Sequence, residues 1–231
     1  MKKMKVLLFV SLFLNALFLG YGGLVASQMD GINHAQAASM QKSAAYYFTK
    51  KSIFEHAELY DVDKIFIGDS MTDYGEFQEY FPDEVVLNRG IRNDVAKGVF
   101  HRIEEVVNRN AKEAYLMIGV NDIGHGENRK DFEKNIRAIV QSFEGTGTKL
   151  FIQSILPVNN GLYGKAVSNK KVQQFNDLLR TIATEKGIEY IDLYAYFLDE
   201  HGQLDERFTV DGLHLNGEGY RMWIDRLHRQ T

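Results

Sequence analysis

The sequence predicts an α/β fold in which a five-stranded parallel sheet lies between two layers of helices, a three-layer α/β/α sandwich. From residue 60 onward, short runs rich in β-branched and aromatic residues alternate with longer runs whose apolar residues recur at helical spacing. No internal repeat or low-complexity tract interrupts this alternation. Strands that alternate with helices are typical of a parallel sheet that is covered on both faces and joined by right-handed crossovers.

The predicted elements follow in chain order. The strands are Lys64–Ile67, Val85–Leu87, Ala114–Ile118, Lys149–Ile155 and Glu189–Leu193. Apolar periodicity predicts amphipathic helices at Val95–Val107, Phe132–Phe143 and Val172–Ala183. A lead-in helix precedes the sheet and another helix closes the chain, at Ala44–Leu59 and Asn216–Leu227. The aromatic residues of the lead-in helix either dock it on the core or face lipid: Tyr46, Tyr47, Phe48 and Phe54.

Composition is that of an ordinary globular protein. The chain has 231 residues, of which 45% are hydrophobic and 25% charged, so disorder is excluded. The absence of cysteine excludes disulfides, thiolate zinc sites and a cysteine nucleophile. The net charge is −4 and no basic stripe is present, so nucleic-acid binding is not expected.

The N-terminal segment has the pattern of an export signal. Lys2, Lys3 and Lys5 precede an uncharged run, Val6–Ala26, that is just long enough to span a bilayer. Cleavage after Ala35–Ala37 or after residue 26 would remove this segment; retention would make it an anchor and allow membrane association. Either outcome places the folded part outside the membrane. We therefore predict a signal peptide or anchor at residues 1–37, a lead-in helix at 38–59 and an α/β domain at 60–231.

Polar motifs follow the predicted strands. Gly68–Ser70 comes after the first strand, Asn88–Gly90 after the second and Gly119–Asp122 after the third, whereas Asp211–His214 lies in the last loop. In open parallel sheets, ligands bind at the carboxyl ends of the strands. Each motif alone is commonly a turn or a helix cap, but a parallel sheet brings all four to one edge.

These residue types can form a nucleophilic site. A serine needs a base, a group that orients the base, and donors for the developing oxyanion. His214 can accept the proton of Ser70, and Asp211 can hold the other imidazole nitrogen. The backbone N–H groups of Ser70 and Gly90 and the side-chain amide of Asn121 can supply the oxyanion donors.

The four motifs resemble those of the SGNH, or GDSL, hydrolase superfamily of serine esterases and lipases, over residues 60–228. The matching blocks are Ile67–Ser70, Asn88–Ile91, Gly119–Asp122 and Asp211–His214. The resemblance implies a flavodoxin-like α/β/α fold and a catalytic triad of Ser70, His214 and Asp211. It also implies an oxyanion hole that includes Gly90 and Asn121.

The chain departs from the family pattern at two places. Met71 stands where the family name has leucine, a swap of similar volume. After Gly90 the chain reads Ile91-Arg92-Asn93-Asp94, where many relatives have a second glycine and a threonine. The stretch from Asp211 to Asn216 is most similar to the acetylhydrolase-like branch.

The expected function is an exported serine ester hydrolase that acts through an acyl-enzyme on short acyl esters, such as O-acetyl groups of envelope or extracellular carbohydrate. The alternative is a lysophospholipase or thioesterase acting on lipid esters. A non-catalytic binding domain on the same fold is disfavoured, because no strand is followed by a nucleotide-binding glycine motif. No cofactor is expected, and the scattered histidines lack metal-ligand spacing.

Several polar residues beside the motifs have two interpretations. Asp69 and Asp122 could form a catalytic carboxylate pair, but are expected to cap helices and accept backbone N–H bonds. Arg89 and Arg92 either meet an anionic substrate or are surface residues. His125 either lines the mouth of the site or is a solvated loop residue.

Overall fold

A computed structural model describes residues 38, 40–164 and 166–229 and contains the predicted three-layer sandwich. The five strands are β1 (Lys64–Gly68), β2 (Val86–Gly90), β3 (Glu113–Met117), β4 (Lys149–Gln153) and β5 (Glu189–Ile191). All pairings are parallel, in the order β2-β1-β3-β4-β5. The predicted fold class is therefore confirmed.

The helices are α1 (residues 40–56), α2 (Ser70–Asp73), α3 (Phe77–Tyr80), α4 (Ala96–His101), α5 (Ile103–Val107), α6 (Val120–Gly124), α7 (Arg129–Ser142), α8 (Asn169–Lys186) and α9 (Gly217–His228). Two short 3₁₀ helices, Tyr194–Phe197 and Glu206–Phe208, follow β5. The described residues from Tyr46 onward form one compact unit, and the described residues before it are helical.

Each face of the sheet has its own apolar core, because successive side chains of a strand point to opposite faces. In β1, Ile65 and Ile67 pack with α4, α5, α7 and α8, whereas Phe66 packs with α3 and α9. Phe66, Tyr115 and Phe151 are register neighbours on β1, β3 and β4, and their rings stack at centroid distances of 5.0 and 4.7 Å. This aromatic row fixes the register of the strands that carry the polar motifs.

The prediction of one continuous helix at Val95–Val107 is wrong. The chain breaks at Arg102, whose φ of −122° and ψ of 11° separate α4 from α5. The buried Arg102 guanidinium donates to Asp94 Oδ2 at 2.9 Å and to Gly68 O at 3.1 Å. These contacts beneath the end of β1 explain why helical periodicity did not give a continuous helix.

Two other predicted ends are also corrected. β4 stops at Gln153 rather than Ile155, because both backbone polar groups of Ile155 bond to the Asn176 side chain of α8. The lead-in helix ends at residue 56 rather than 59. The guanidinium of Arg109 donates to the carbonyls of Phe54, Ala57 and Leu59, and so satisfies the C-terminal end of α1.

The predicted leader, residues 1–37, lies outside the described residues. Among the helices that are described, none combines the length and the apolar character needed to cross a bilayer. Of the lead-in aromatics, Phe54 is buried and Phe48 is exposed, while Tyr46 and Tyr47 are half-buried. The docking interpretation therefore holds for Phe54, and Tyr47 adds a hydrogen bond to Gly98 O at 3.0 Å.

Candidate active site

Ser70 lies at the turn from β1 into α2. Asp69 caps this helix by accepting the N–H of Met71 at 3.0 Å. A side chain at Gly68 would come within 2.3 Å of Met117 O, so only glycine fits this close approach. Ser70 N–H is the first donor of the helix and has no acceptor among the described residues. The turn therefore holds both the hydroxyl and a backbone donor at the carboxyl edge of the sheet.

The structure brings Ser70, His214 and Asp211 into one chain of hydrogen bonds. His214 Nε2 lies 2.9 Å from Ser70 Oγ, and His214 Nδ1 lies 2.7 Å from Asp211 Oδ2. Asp211 Oδ1 accepts the N–H groups of Leu213 and His214 at 2.9 and 2.8 Å. These distances meet the geometric requirement for a serine, base and orienting carboxylate.

Electrostatics keep the orienting carboxylate ionised. Partial burial acts to raise the pKa of Asp211, but the hydrogen bonds from His214 and from the two backbone N–H groups outweigh it, so the pKa is lowered. The loop itself is anchored, since Thr209 Oγ1 donates to His214 O at 2.7 Å. Asp211 is therefore a fixed negative charge on the far side of the imidazole.

Of the three predicted oxyanion donors, the structure leaves two available. Asn121 Nδ2 donates one hydrogen to Asp94 O at 2.9 Å, and its second amide hydrogen is free for a ligand. The N–H of Gly90, in contrast, donates to Asn88 Oδ1 at 2.8 Å. Gly90 can serve as a donor only if that bond breaks, and its place in the oxyanion hole stays a prediction.

Gly90 has a steric role. A Cβ there would lie 2.1 Å from the backbone nitrogen of Asp73 at the end of α2. Asn88 reinforces this packing, because its Nδ2 donates to Thr72 O at 2.7 Å and to Gly75 O at 2.8 Å. Three residues beyond Gly90, Asn93 has a φ of 65°, the left-handed conformation that glycine favours. The loop therefore keeps a glycine-like turn although the second glycine of the family is absent.

Two buried carboxylates lie behind the motifs. Burial raises the pKa of Asp69 to about 7, despite the hydrogen bond from Met71. Burial likewise raises the pKa of Asp122 to about 7, although its two oxygens accept the N–H of Ala96 at 3.2 Å. Both act as acceptors for backbone groups, as the sequence predicted, and both are almost completely buried.

Arg89 matches neither interpretation offered by the sequence. It is only 4% exposed, its Nε donates to Glu105 at 3.0 Å, and its guanidinium lies 4.6 Å from the centre of the Phe54 ring. Arg89 thus ties β2 to α5 and α1 and does not reach a ligand. His125 is exposed and ends α6, as expected of a solvated loop residue.

Sequence reasoning missed Asp73 and Tyr74 at the end of α2. The Asp73 carboxylate accepts the Tyr46 hydroxyl at 2.5 Å, pairs with Lys50 at 2.7 Å and accepts the N–H of Arg92 at 3.2 Å. The Tyr74 ring lies 5.0 Å from the His214 ring. Their only signal in the sequence is adjacency to Ser70, which does not show what they contact.

A small cleft is lined mostly by apolar residues, together with Asp69. Its lining residues sit next to the site residues in sequence: Met71 follows Ser70, Val120 precedes Asn121, and Leu213 precedes His214. The free volume is about 10 Å³, room for one water-sized group. The fold, the hydrogen-bonded chain from Ser70 through His214 to Asp211 and the small cleft together define a class of protein. This class is the hydrolytic enzymes that transfer an acyl group to a serine.

Comparisons with known proteins identify the family. The family model for GDSL-like lipases and acylhydrolases matches residues 66–222. The platelet-activating factor acetylhydrolase IB subunit alpha2 of Rattus norvegicus is 26% identical over 172 residues, which cover 72% of this chain and 74% of that protein. The chain belongs to the GDSL-like lipase/acylhydrolase family, and it is a carboxylic ester hydrolase.

Solved structures share the fold. A Streptococcus pneumoniae protein named for platelet activating factor superposes with a TM-score of 0.79 at 27% identity, covering 85% of this chain and 98% of its own. The acetylxylan esterase Axe2 of Geobacillus stearothermophilus superposes with a TM-score of 0.62 at 17% identity, covering 74% of this chain and 94% of its own. Within the described residues of this chain, no cluster of three or more histidine or acidic side chains is arranged to hold a metal ion.

Proposed function

We propose that the protein is an exported serine esterase that removes short acyl groups, acetyl foremost, from carbohydrate of the envelope or the extracellular medium. The observation that carries the catalytic assignment is the hydrogen-bonded chain from Ser70 Oγ through His214 to Asp211. Because each distance is that of an ordinary hydrogen bond, no rearrangement is needed before reaction.

The chemistry follows from these contacts. Ser70 Oγ forms a bond to the acyl carbon while His214 Nε2 takes the hydroxyl proton, and the imidazolium is stabilised by Asp211. The Ser70 N–H and the second hydrogen of the Asn121 amide are the donors we assign to the charge that develops on the carbonyl oxygen. His214 then gives its proton to the leaving alcohol as the ester C–O bond breaks. A water molecule, activated by the same imidazole, releases the acid from Ser70.

A small cleft lined by sequence neighbours of the site residues supports a short acyl group. It is lined by Asp69 and by apolar side chains that include Met71, Val120 and Leu213, and it admits one water-sized group. An acetyl methyl is of that size, whereas a longer chain must displace several buried side chains. The rat relative is named for acetyl hydrolysis, which supports the same preference.

Two other features support a carbohydrate substrate and export of the protein. The shared fold with an acetylxylan esterase supports an acetylated glycan as substrate. The basic residues followed by an apolar run at the N-terminus support export, with the leader either removed or kept as an anchor.

A series of p-nitrophenyl esters from C2 to C12, run beside acetylated xylan and acetylated peptidoglycan, tests the proposal. We expect the highest kcat/KM at C2, release of acetate from a glycan, and covalent labelling of Ser70 by a fluorophosphonate. Ser70→Ala should abolish all three, whereas Ser142→Ala, which removes a serine hydroxyl bonded within α7, should not. A maximum at C8 or longer would favour the lipid-ester alternative.

A further inference from the structure

Arg92 is an exposed cation beside the predicted base. Its guanidinium lies 4.3 Å from the centre of the Tyr46 ring, and its backbone N–H donates to Asp73, the residue before Tyr74. The Tyr74 side chain acts to raise the pKa of Arg92. The Tyr74 ring lies 5.0 Å from the ring of His214, so Tyr74 is next to the imidazole and close to Arg92.

Contacts with neighbouring residues hold Arg92 in position. Its backbone N–H donates to Asp73 Oδ2, and the same carboxylate is held by Tyr46 and Lys50 of α1. The backbone and the guanidinium are thus fixed by separate contacts. A long side chain that is already held loses less conformational entropy when it binds a ligand.

The charge of Arg92 is left unpaired by the protein. The nearby Asp73 carboxylate is paired with Lys50 at 2.7 Å, and Arg92 forms no ion pair in the part of the chain that the structure describes. A guanidinium has five N–H donors in a planar fork, and two of them match the two oxygens of a carboxylate.

The neighbours of Arg92 indicate that it faces the alcohol half of the ester and not the acyl half. The cleft proposed for the acyl group is lined by residues that include Met71, Val120 and Leu213, and Arg92 is not among its lining residues. Because His214 must pass its proton to the leaving oxygen, the groups alongside His214 face the alcohol half. Arg92 lies on that side, because its N–H donates to Asp73 and the next residue, Tyr74, contacts the His214 ring.

We propose that Arg92, held by Tyr46 and Asp73, forms a subsite for a carboxylate on the alcohol half of the ester. This inference rests on the proposed function and narrows it to acyl esters of acidic alcohols, such as sugars that carry a carboxylate. Arg92 is a specificity residue in this proposal and takes no part in bond making or breaking.

The test uses two acetate esters that differ in one charge. In 4-acetoxybenzoate the carboxylate lies across one benzene ring from the ester oxygen; its methyl ester is the neutral reference. The quantity measured is the ratio of kcat/KM for the anionic ester to that for the neutral one, because a ratio cancels general effects of a substitution on the site.

We expect Arg92→Gln to lower this ratio about fivefold, mainly through KM, the scale of an exposed charged contact. Arg92→Glu should lower it further. Arg229→Gln removes the same charge from an exposed arginine at the far end of α9 and should leave the ratio unchanged.

Two results would overturn the subsite. One is an equal ratio in the wild type and Arg92→Gln; the other is an equal fall in Arg229→Gln, which would show a long-range charge effect only. These results differ from failure of the proposed function, in which the wild-type protein would hydrolyse neither ester.

Discussion

Replacing Asp211 with asparagine should slow ester hydrolysis about 10³- to 10⁴-fold with little change in stability. The two carboxylate oxygens have separate partners: Oδ1 accepts the backbone N–H groups of Leu213 and His214, and Oδ2 accepts from His214 Nδ1. The carbonyl oxygen of asparagine can keep both backbone bonds. Its NH₂ group then replaces Oδ2, which was the acceptor for the imidazole.

The magnitude follows from the tautomer that this exchange imposes. An NH₂ group donates to Nδ1, so the imidazole proton moves to Nε2, the nitrogen that lies 2.9 Å from Ser70 Oγ. A protonated Nε2 cannot accept the proton of the serine. The variant also loses the negative charge that stabilises the imidazolium, and the two losses together account for the expected fall.

The assay is hydrolysis of p-nitrophenyl acetate, with unfolding by urea measured in parallel. Asp205→Asn is the matched control, because Asp205 also accepts a backbone N–H, from Arg207, but has no contact with His214. That variant should keep wild-type kcat. A loss of less than tenfold for Asp211→Asn, at unchanged stability, would show that Asp211 does not set the tautomer of the base.

Three further predictions concern the loops around the serine. Asn121→Ala should lower kcat about 10²- to 10³-fold by removing an oxyanion donor, and should lower the free energy of unfolding by about 1 kcal/mol because the Asp94 carbonyl loses its partner; esterase assays and urea unfolding measure the two effects. Asp69→Asn should become more stable relative to wild type as the pH rises from about 4 to 8, by up to about 4 kcal/mol in urea unfolding. The reason is that the folded-state pKa of Asp69 is raised from 3.8 to about 7, so wild type loses stability over that range while asparagine does not titrate. Gly90→Ala should cost about 1–3 kcal/mol in thermal unfolding, since its Cβ would meet the backbone of Asp73.

Each of these has a contrary outcome. Wild-type kcat in Asn121→Ala would remove that amide from the oxyanion hole. A stability difference for Asp69→Asn that does not change with pH would show that the native carboxyl titrates normally. Unchanged thermal stability in Gly90→Ala would show that α2 can move away from β2 at little cost.

The sequence was sufficient for the parts of the molecule that depend on periodicity and strand order. The five strands, their parallel pairing and the meeting of Ser70 with His214 follow from motifs placed at strand ends. The contacts of individual polar side chains could not be predicted, because they depend on side-chain orientation. Arg89 turns inward to Glu105, and Arg102 bonds under β1 and breaks a helix whose apolar spacing is continuous.

The oxyanion region shows the same limit at one residue. The spacing of the second motif predicts that Gly90 lies at the site, and it does lie against α2. The motif does not reveal that Asn88, two positions earlier, turns back to occupy the N–H of Gly90. The sequence motif predicts which loop approaches the serine. The hydrogen bonds within that loop are seen only in the structure.

The contact between Ser70 and His214 joins residues that are 144 positions apart. During synthesis the serine leaves the ribosome long before the histidine does. A nascent chain therefore lacks the base for its nucleophile, and the esterase chemistry proposed for this enzyme begins only when the final loop has folded back onto the first strand.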